Sequence, residues 1–455
     1  MTVKTSTRKI SIDILDDMQK ENMDSQNDAK DEMDAEVLAQ LKAKMNAKSK
    51  EEKMATLVAK KERSLKLGVV GTGQAGSRMA ETFNKLGYDS VCMNTALQDL
   101  KGIGLPETHK LFLDGTLGGA AKTLSIGEAA TEAHADEILA LVNRELGHTH
   151  VLLLTTSLGG GSGAGSVEPL VSILTQTSKP IICIAALPME NDDAQTKANA
   201  LQTLGKLSKM VQNKTLSNLI VVDNAKIENV YSEVSQMEFF GVANKAICEP
   251  IDIFNTFSMR DSKVKALDSS EWAKLFVDGE GLSIYGSMEV DNFLDKTAIA
   301  EAILNNLDGN LLASGFNVKE AKYVGVMVIA HPDVWKQIPS VSVNYGMSII
   351  AEKCNNPTTY KGIYEDESMS KDKVNIYTFI SGLSLPEGRV NALKEEVKIL
   401  QAASKEKEEK RNVNLSLDTG ANETISAAQR IKSEIAAKNS AFGKLMGGSV
   451  IDRRK

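Results

Sequence analysis

The chain has 455 residues, 42% of them hydrophobic and 25% charged, enough for a sizeable core and, at roughly 100–200 residues per domain, for two or three units. A net charge of −7 argues against broad nucleic-acid binding by the whole protein, while leaving room for a local basic patch. Cys92, Cys183, Cys248 and Cys354 lack zinc-ligand spacing and read as reduced cytoplasmic thiols, the N-terminus has no apolar signal core, and no stretch approaches the roughly 18 apolar residues of a membrane segment.

Residues 1–64 are charged and free of Phe, Trp and Tyr, which predicts a helical or disordered extension. From Leu65 the pattern changes. LKLGVVGTG reads as a buried strand entering a glycine-rich turn, and SRMAETFNKLG as the helix that follows, with Met79, Phe83 and Leu86 at helical spacing. SVCMNT is a second strand, and SIGEAATEAHADEILALVNREL one long helix. THVLLLTTSLGGGSGAGS is another strand and glycine loop, followed by the helix VEPLVSILTQT. KPIICIAALP and SNLIVVDN are two more buried strands. Strands alternating with helices imply an α/β fold with a parallel sheet covered on both faces.

QMEFFGVANKAICEPIDIFNTFSM reads as a long, largely apolar central helix. After it come the helix TAIAEAILNNLDGNLLAS and the strands YVGVMVIAHP and NIYTFISGLS, a second, smaller α/β domain. The expected divisions are an extension over 1–64, a nucleotide-binding domain over 65–235, the central helix and a catalytic loop over 236–284, the second domain over 285–386, and a helical C-terminal extension over 387–455. Residues 430–455 carry seven Lys/Arg against two Asp/Glu, which reads either as a solvated helix or as a basic hook for a partner.

Gly71-Thr72-Gly73-Gln74-Ala75-Gly76 fits G-x-G-x-x-G between a strand and a helix, so its backbone can approach a phosphate at a helix N-terminus. A dinucleotide-dependent oxidoreductase is one reading. That site wants an acidic residue about 20 positions on to hold a ribose hydroxyl, and the second strand ends instead in Met93-Asn94-Thr95. A denser loop follows at Gly159-Gly160-Gly161-Ser162-Gly163-Ala164-Gly165. So glycine-rich a turn costs backbone entropy, and a nest of N–H groups around phosphate oxygens is the functional return. No G-x-x-x-x-G-K-[ST] occurs.

The segment TSLGGGSGAGS resembles the tubulin/FtsZ signature GGGTGSG, with Ser162 and Ala164 as mild departures. VVGTGQAGSRM is similar to the family's first phosphate loop, and MNTALQDL resembles VNTDAQAL, with Ala96 where the family has an acid. The resemblance covers about 65–385 and implies GTP or GDP as ligand, with Mg2+. It carries phosphate contacts onto Gly73, Gln74, Ala75, Gly76 and Arg78, and onto Gly160, Gly161, Ser162, Gly163 and Ala164. Gly118 and Gly119, in DGTLGGAAK, fall where the family senses the γ-phosphate. Asp192, in LPMENDD, falls in the sugar loop, although the Arg that follows in FtsZ is Thr196 here. VVDNAKIENVY resembles the tubulin segment IDNEALYDI and makes Asn224 a guanine contact, with a helix N-cap as the plainer reading. Phe240 and Asn244, four apart on one helix face, match the family's base-stacking aromatic and its Asn/Asp partner. In ALDSSEW, Asp268 and Glu271 match the two acids that tubulins insert into the neighbouring subunit; Ala266 replaces the leading Asn. The same two residues have capping-box spacing, and the local pattern favours the cap.

The resemblance is nearer to the divergent plasmid- and bacteriophage-encoded tubulins of the TubZ type than to FtsZ itself. It implies a cytoplasmic GTPase that assembles head to tail, with plasmid or phage DNA as cargo through a DNA-bound adaptor on the basic tail. A cell-division filament is the alternative within the family.

Overall fold

The computed structural model describes residues 62–310 and 312–415. Most of the expected N-terminal extension and all of the basic segment 430–455 lie outside the described residues. The described residues up to Glu396 form one compact unit; from Val397 a second begins, of which residues 397–415 are helical.

One ten-stranded sheet organises the first unit. Its strands are β1 (Leu67–Thr72), β2 (Asp89–Asn94), β3 (Lys110–Phe112), β4 (Val151–Ser157), β5 (Ile181–Leu187), β6 (Asn218–Asp223), β7 (Leu282–Val290), β8 (Tyr323–Ala330), β9 (Thr358–Glu365) and β10 (Val374–Leu383), in the order β3-β2-β1-β4-β5-β6-β7-β10-β8-β9. From β3 to β7 every pairing is parallel, as expected for buried apolar strands linked by helices. β10 is antiparallel to both β7 and β8. Residue 285, where the second domain was expected to begin, lies inside β7, which pairs with β6 on one side and β10 on the other.

The helices are α1 (Gly73–Leu86), α2 (Leu124–Ala133), α3 (Ala135–Leu146), α4 (Ser162–Thr175), α5 (Ala194–Gln212), α6 (Asn224–Val230), α7 (Gln236–Phe257), α8 (Ser269–Phe276), α9 (Ala298–Asn305), α10 (Ser340–Lys353) and α11 (Glu387–Leu415), with shorter helical turns at Leu97–Lys101, Glu107–His109, Val318–Glu320 and Pro332–Trp335. The single long helix expected over 125–146 is in fact two, broken at His134. That residue adopts a non-helical backbone, its Nδ1 lies 2.8 Å from Ala130 O, and its Nε2 meets Asp114 at 3.2 Å. The helix expected over 297–314 ends at Asn305 and passes into one π turn.

Two apolar layers cover the sheet. Val69 of β1 packs with α1, α7 and α8 through Met79, Phe83, Ile251, Phe254 and Trp272. Val70, one residue on, points the other way, into the layer of α3, α4 and α5 with Ile138, Leu170 and Leu204. The four cysteines are free and buried, Cys183, Cys248 and Cys354 within these layers and Cys92 in a smaller cluster with Leu100 and Ile103, and burial pushes the Cys92 thiol up to about 11.

The central helix α7 links two opposite edges of the sheet. Its C-terminal end is tied to the start of β1: Asn255 Oδ1 accepts from Leu65 N at 2.8 Å, and its Nδ2 donates to Leu65 O at 2.9 Å. The loop that follows, 258–268, therefore lies at the edge where β1 begins. The glycine loop follows β1 and lies at the edge where it ends.

Candidate functional site at the carboxyl edge of the parallel strands

The strand order reverses between β1 and β4: the chain goes from β1 to β2 and β3 on one side, and from β4 to β5 and β6 on the other. Such a switch point leaves a crevice beyond the carboxyl ends of the two strands, where open α/β sheets bind ligands. Both glycine loops emerge there, because β1 runs into Gly73 and β4 into Gly159–Gly161.

The loops touch. Gly73 has φ +69°, and a Cβ on it would lie 2.7 Å from Gly163 N, so both conformation and space demand glycine. A Cβ on Gly76 would come within 2.1 Å of Thr155 O, which brings the first turn of α1 onto β4. Ser77 Oγ donates to Gly73 O at 2.6 Å, and Thr155 Oγ1 to Gly76 O at 2.9 Å. Gly160 faces open space. Neither α1 nor α4 has a side-chain cap or an acid in its first turn. Their leading N–H groups and positive dipole ends converge on one crevice, an arrangement suited to an oligophosphate.

Three further loops reach the same edge. After β2, the Thr95 hydroxyl hydrogen-bonds the Ser162 hydroxyl, and Thr116 Oγ1 donates to Thr95 O at 3.1 Å while accepting from Gly119 N at 3.1 Å. Gly118 lies exposed beside it with φ +82°. The loop after β5 is closed by Asp192 Oδ2, which accepts from Met189 N at 2.8 Å. Thr196 N and Oγ1 donate to Asp193 Oδ1 at 2.8 and 2.9 Å, and the Thr196 methyl fills the space facing Gly159. The Lys122 ammonium and the Thr196 N–H hold the Asp193 carboxyl down at about 2.

After β6 the helix cap is Asp223 and not Asn224: Asp223 Oδ1 accepts from Ala225 N at 3.2 Å, and Asn224 is the first helical residue, half-buried. Ile227, one turn beyond Asn224, shares a core with Phe239 and Ala243 of α7, whose neighbours are Phe240 and Asn244. Phe239 is buried, whereas Phe240 is 46% exposed and carries the Arg78 guanidinium 5.6 Å above its ring. A half-exposed aromatic ring beside the first glycine loop has a face suited to stacking on a planar ring.

Asp268 and Glu271 are not brought to this edge. They form a capping box on α8: Asp268 Oδ1 accepts from Ser270 N at 2.8 Å and Glu271 N at 2.9 Å, and Glu271 Oε2 accepts from Asp268 N at 3.1 Å. Bonds from Ser270 and the Glu271 N–H hold the Asp268 carboxyl below the usual carboxylate range. From Phe240, α7 runs on to Phe257, about 25 Å at 1.5 Å per residue, and these acids follow beyond its far end.

Sequence reasoning missed several residues here. Asp99 accepts from Asn94 Nδ2 at 3.1 Å and from Gln74 Nε2 at 3.4 Å, and so puts a carboxylate beside the first loop although Ala96 carries none. Buried Asn199 donates to Lys122 O at 2.8 Å and Gly159 O at 3.1 Å, stapling two loops together. Lys122 pairs with Asp193. The contacts of Asn199 and Lys122 span 40 to 77 positions in the chain, and no local pattern announces them. Only Asp99, five residues beyond Asn94, had a local signal.

Residues 66–232 match the family model for the Tubulin/FtsZ family, GTPase domain. A tubulin-like protein TubZ from Bacillus cereus is 24% identical over 367 residues, 73% of this chain and 82% of its own length. A tubulin-like protein CetZ from Pyrococcus horikoshii is 23% identical over 324 residues, 69% of this chain and 85% of its own. Among solved structures, the GTPγS-form protofilament of Bacillus thuringiensis serovar israelensis TubZ shares the fold at a TM-score of 0.67 and 20% identity, covering 78% of this chain and 96% of that one. The two-stranded TubZ-Bt filament does so at 0.70 and 19%, covering 81% and 97%.

Proposed function

From residues 66–232, which belong to the tubulin/FtsZ family of GTPase domains, we propose that this chain polymerises head to tail, hydrolyses GTP between subunits and moves plasmid or phage DNA. The observation that carries the reading is the separation of the two halves of a GTPase site: candidate phosphate and base groups at one edge of the sheet, and the candidate catalytic acids beyond the far end of α7, about 25 Å along the helix from Phe240. One subunit stacked on the next brings the halves together. A contact that repeats without closing generates a filament. Exposed apolar side chains stand at both edges: Leu117 beside Gly118, and Val264 in the loop before Asp268. The loop is stiffened from behind, with Leu267 N donating to the Tyr364 hydroxyl at 2.9 Å and Ile363 N to Lys265 O at 2.8 Å.

In this reading the first-turn N–H groups of α1 and α4 hold the phosphates, Gly118 and Gly119 close over the γ-phosphate, Phe240 stacks on the base, and Asn224 and Asn244 read its edge. Asp192 is the ribose contact. The dinucleotide reading of the first loop gives way, since the two glycine loops form a single crevice within a GTPase domain. Among the described residues no cluster of three His, Cys, Asp or Glu could hold a metal ion. Mg2+ keeps much of its water and binds through phosphate oxygens and one or two carboxylates; Asp99 is the carboxylate that would face its hydrated shell and help neutralise phosphate charge.

The adaptor hypothesis rests on the basic segment 430–455. Deleting it is expected to leave GTP-dependent pelleting and phosphate release within about twofold of the full chain, while DNA-bound partner no longer co-sediments. Partner binding by the full chain should weaken as salt rises. A truncated chain that cannot pellet would instead place the segment in the filament contact.

A further inference from the structure

The start of α11, as far as Glu396, lies against the nucleotide edge through an ion-pair chain that none of the assignments above uses. Arg389, Leu393 and Glu396 fall at i, i+4 and i+7, one face of the helix, and Leu393 is fully buried in the core. Arg389 Nε donates to Asp223 Oδ2 at 2.7 Å, with side-chain exposures of 11% and 3%. Arg389 Nη1 also meets Glu396 Oε1 at 3.0 Å. Glu396 Oε2 meets Lys197 Nζ at 2.7 Å, and Lys197, 4% exposed, donates to Glu190 O at 2.6 Å.

Both ends of this chain are candidate recognition loops. Asp223 caps the helix whose first residue is Asn224, and Glu190 sits in the loop that carries Asp192. We propose that Arg389 and Glu396 are positioning residues for nucleotide recognition, clamping the base loop 223–225 and the sugar loop 188–193 into one rigid frame. This inference rests on the guanine-nucleotide reading of that edge. Arg389 fixes the Asp223 carboxylate in the rotamer that caps Ala225, and so fixes how Asn224 is presented. Glu396 holds Lys197 against the sugar loop and is held in turn by Arg389. A buried carboxylate keeps its place only while its partner remains, since removing one member leaves an uncompensated charge. Burial already pushes the Asp223 carboxyl up, with Arg389 opposing that shift.

The test uses full-length Arg389→Gln, Glu396→Gln and Arg389→Lys, each followed by melting temperature, GTP affinity and hydrogen exchange. Arg389→Gln should weaken GTP binding about tenfold, the low end for groups that orient a ligand's direct contacts. It should also speed amide exchange in both 188–193 and 223–230. Glu396→Gln, at a half-exposed position, should leave the fold intact and speed exchange in 188–193 alone. Arg389→Lys, which keeps a charge on Asp223, should recover part of the affinity. If the folded variants bind GTP as the wild type does, or if faster exchange is confined to 387–396, the clamp is purely structural and the proposal falls. A wild-type chain that binds no guanine nucleotide would overturn the site reading itself, and the exchange pattern would still report whether the two loops are tethered.

Discussion

Replacing Asp268 by asparagine is expected to cut GTP turnover by about 100-fold or more while filaments still form and persist, the scale of losing a group that orients the attacking water. The substitution is chosen for what it keeps. All three bonds to the Asp268 carboxylate fall on Oδ1, from Ser270 N, Ser270 Oγ and Glu271 N. Asparagine caps a helix about as well as aspartate, so the stability of α8 should stay within about 0.5 kcal/mol. What disappears is the charge, including Oδ2, which takes none of those bonds. Glu271→Gln follows the same logic, because glutamine completes a capping box as glutamate does. Alanine at either position confounds the two roles, since loss of the cap alone costs about 0.5–2 kcal/mol. Phosphate release and pelleting on one preparation separate them: a purely structural cap predicts near-wild-type hydrolysis in folded Asp268→Asn and Glu271→Gln.

The second large effect concerns the base. Guanine offers N–H donors beside an O6 acceptor, and an asparagine amide offers both complements, whereas adenine reverses the pattern. Each buried polar group left unpaired costs about 1–3 kcal/mol. GTP is therefore expected to compete against ATP by tens-fold or more in the wild type, and Asn224→Ala or Asn244→Ala should erase most of that margin. Phe240→Ala should weaken both nucleotides together, because stacking does not discriminate between purines. Equal GTP and ATP affinities in the wild type would sink the assignment of Asn224 and Asn244.

Much of this was legible in the sequence for a physical reason. Glycines between a buried strand and a helix are expensive to fold, so two such runs mark places where backbone must approach something closely. Gly73 against Gly163 and Gly76 against Thr155 are those places. Pattern reading gave β1, β2, β4, β5, β6, β8 and β10 as strands and α7 as a helix, but missed β3, β7 and β9. It could not orient β10, because a strand buried on both faces looks alike in either direction. Nor could it find the break at His134, where the side chain meets Asp114 of a distant loop. The ion chain from Asp223 to Glu190 was invisible because its members come from β6, α11, α5 and the loop after β5, and only the fold makes them neighbours. Asn224 shows the limit of motif reading at a single residue. The plainer sequence reading makes Asn224 an N-cap, but Asp223 supplies the cap and Asn224 follows as the first helical residue.

The central claim is that one subunit's nucleotide is hydrolysed by acids of the next, and phosphate release per subunit measured across protein concentration tests it most directly. The separation of Asp268 and Glu271 from the glycine loops predicts almost no turnover in dilute protein and a steep rise above a critical concentration, in step with the amount pelleted. Turnover per subunit that stays constant down to concentrations where nothing pellets would contradict it, because a complete site would then exist within a single chain.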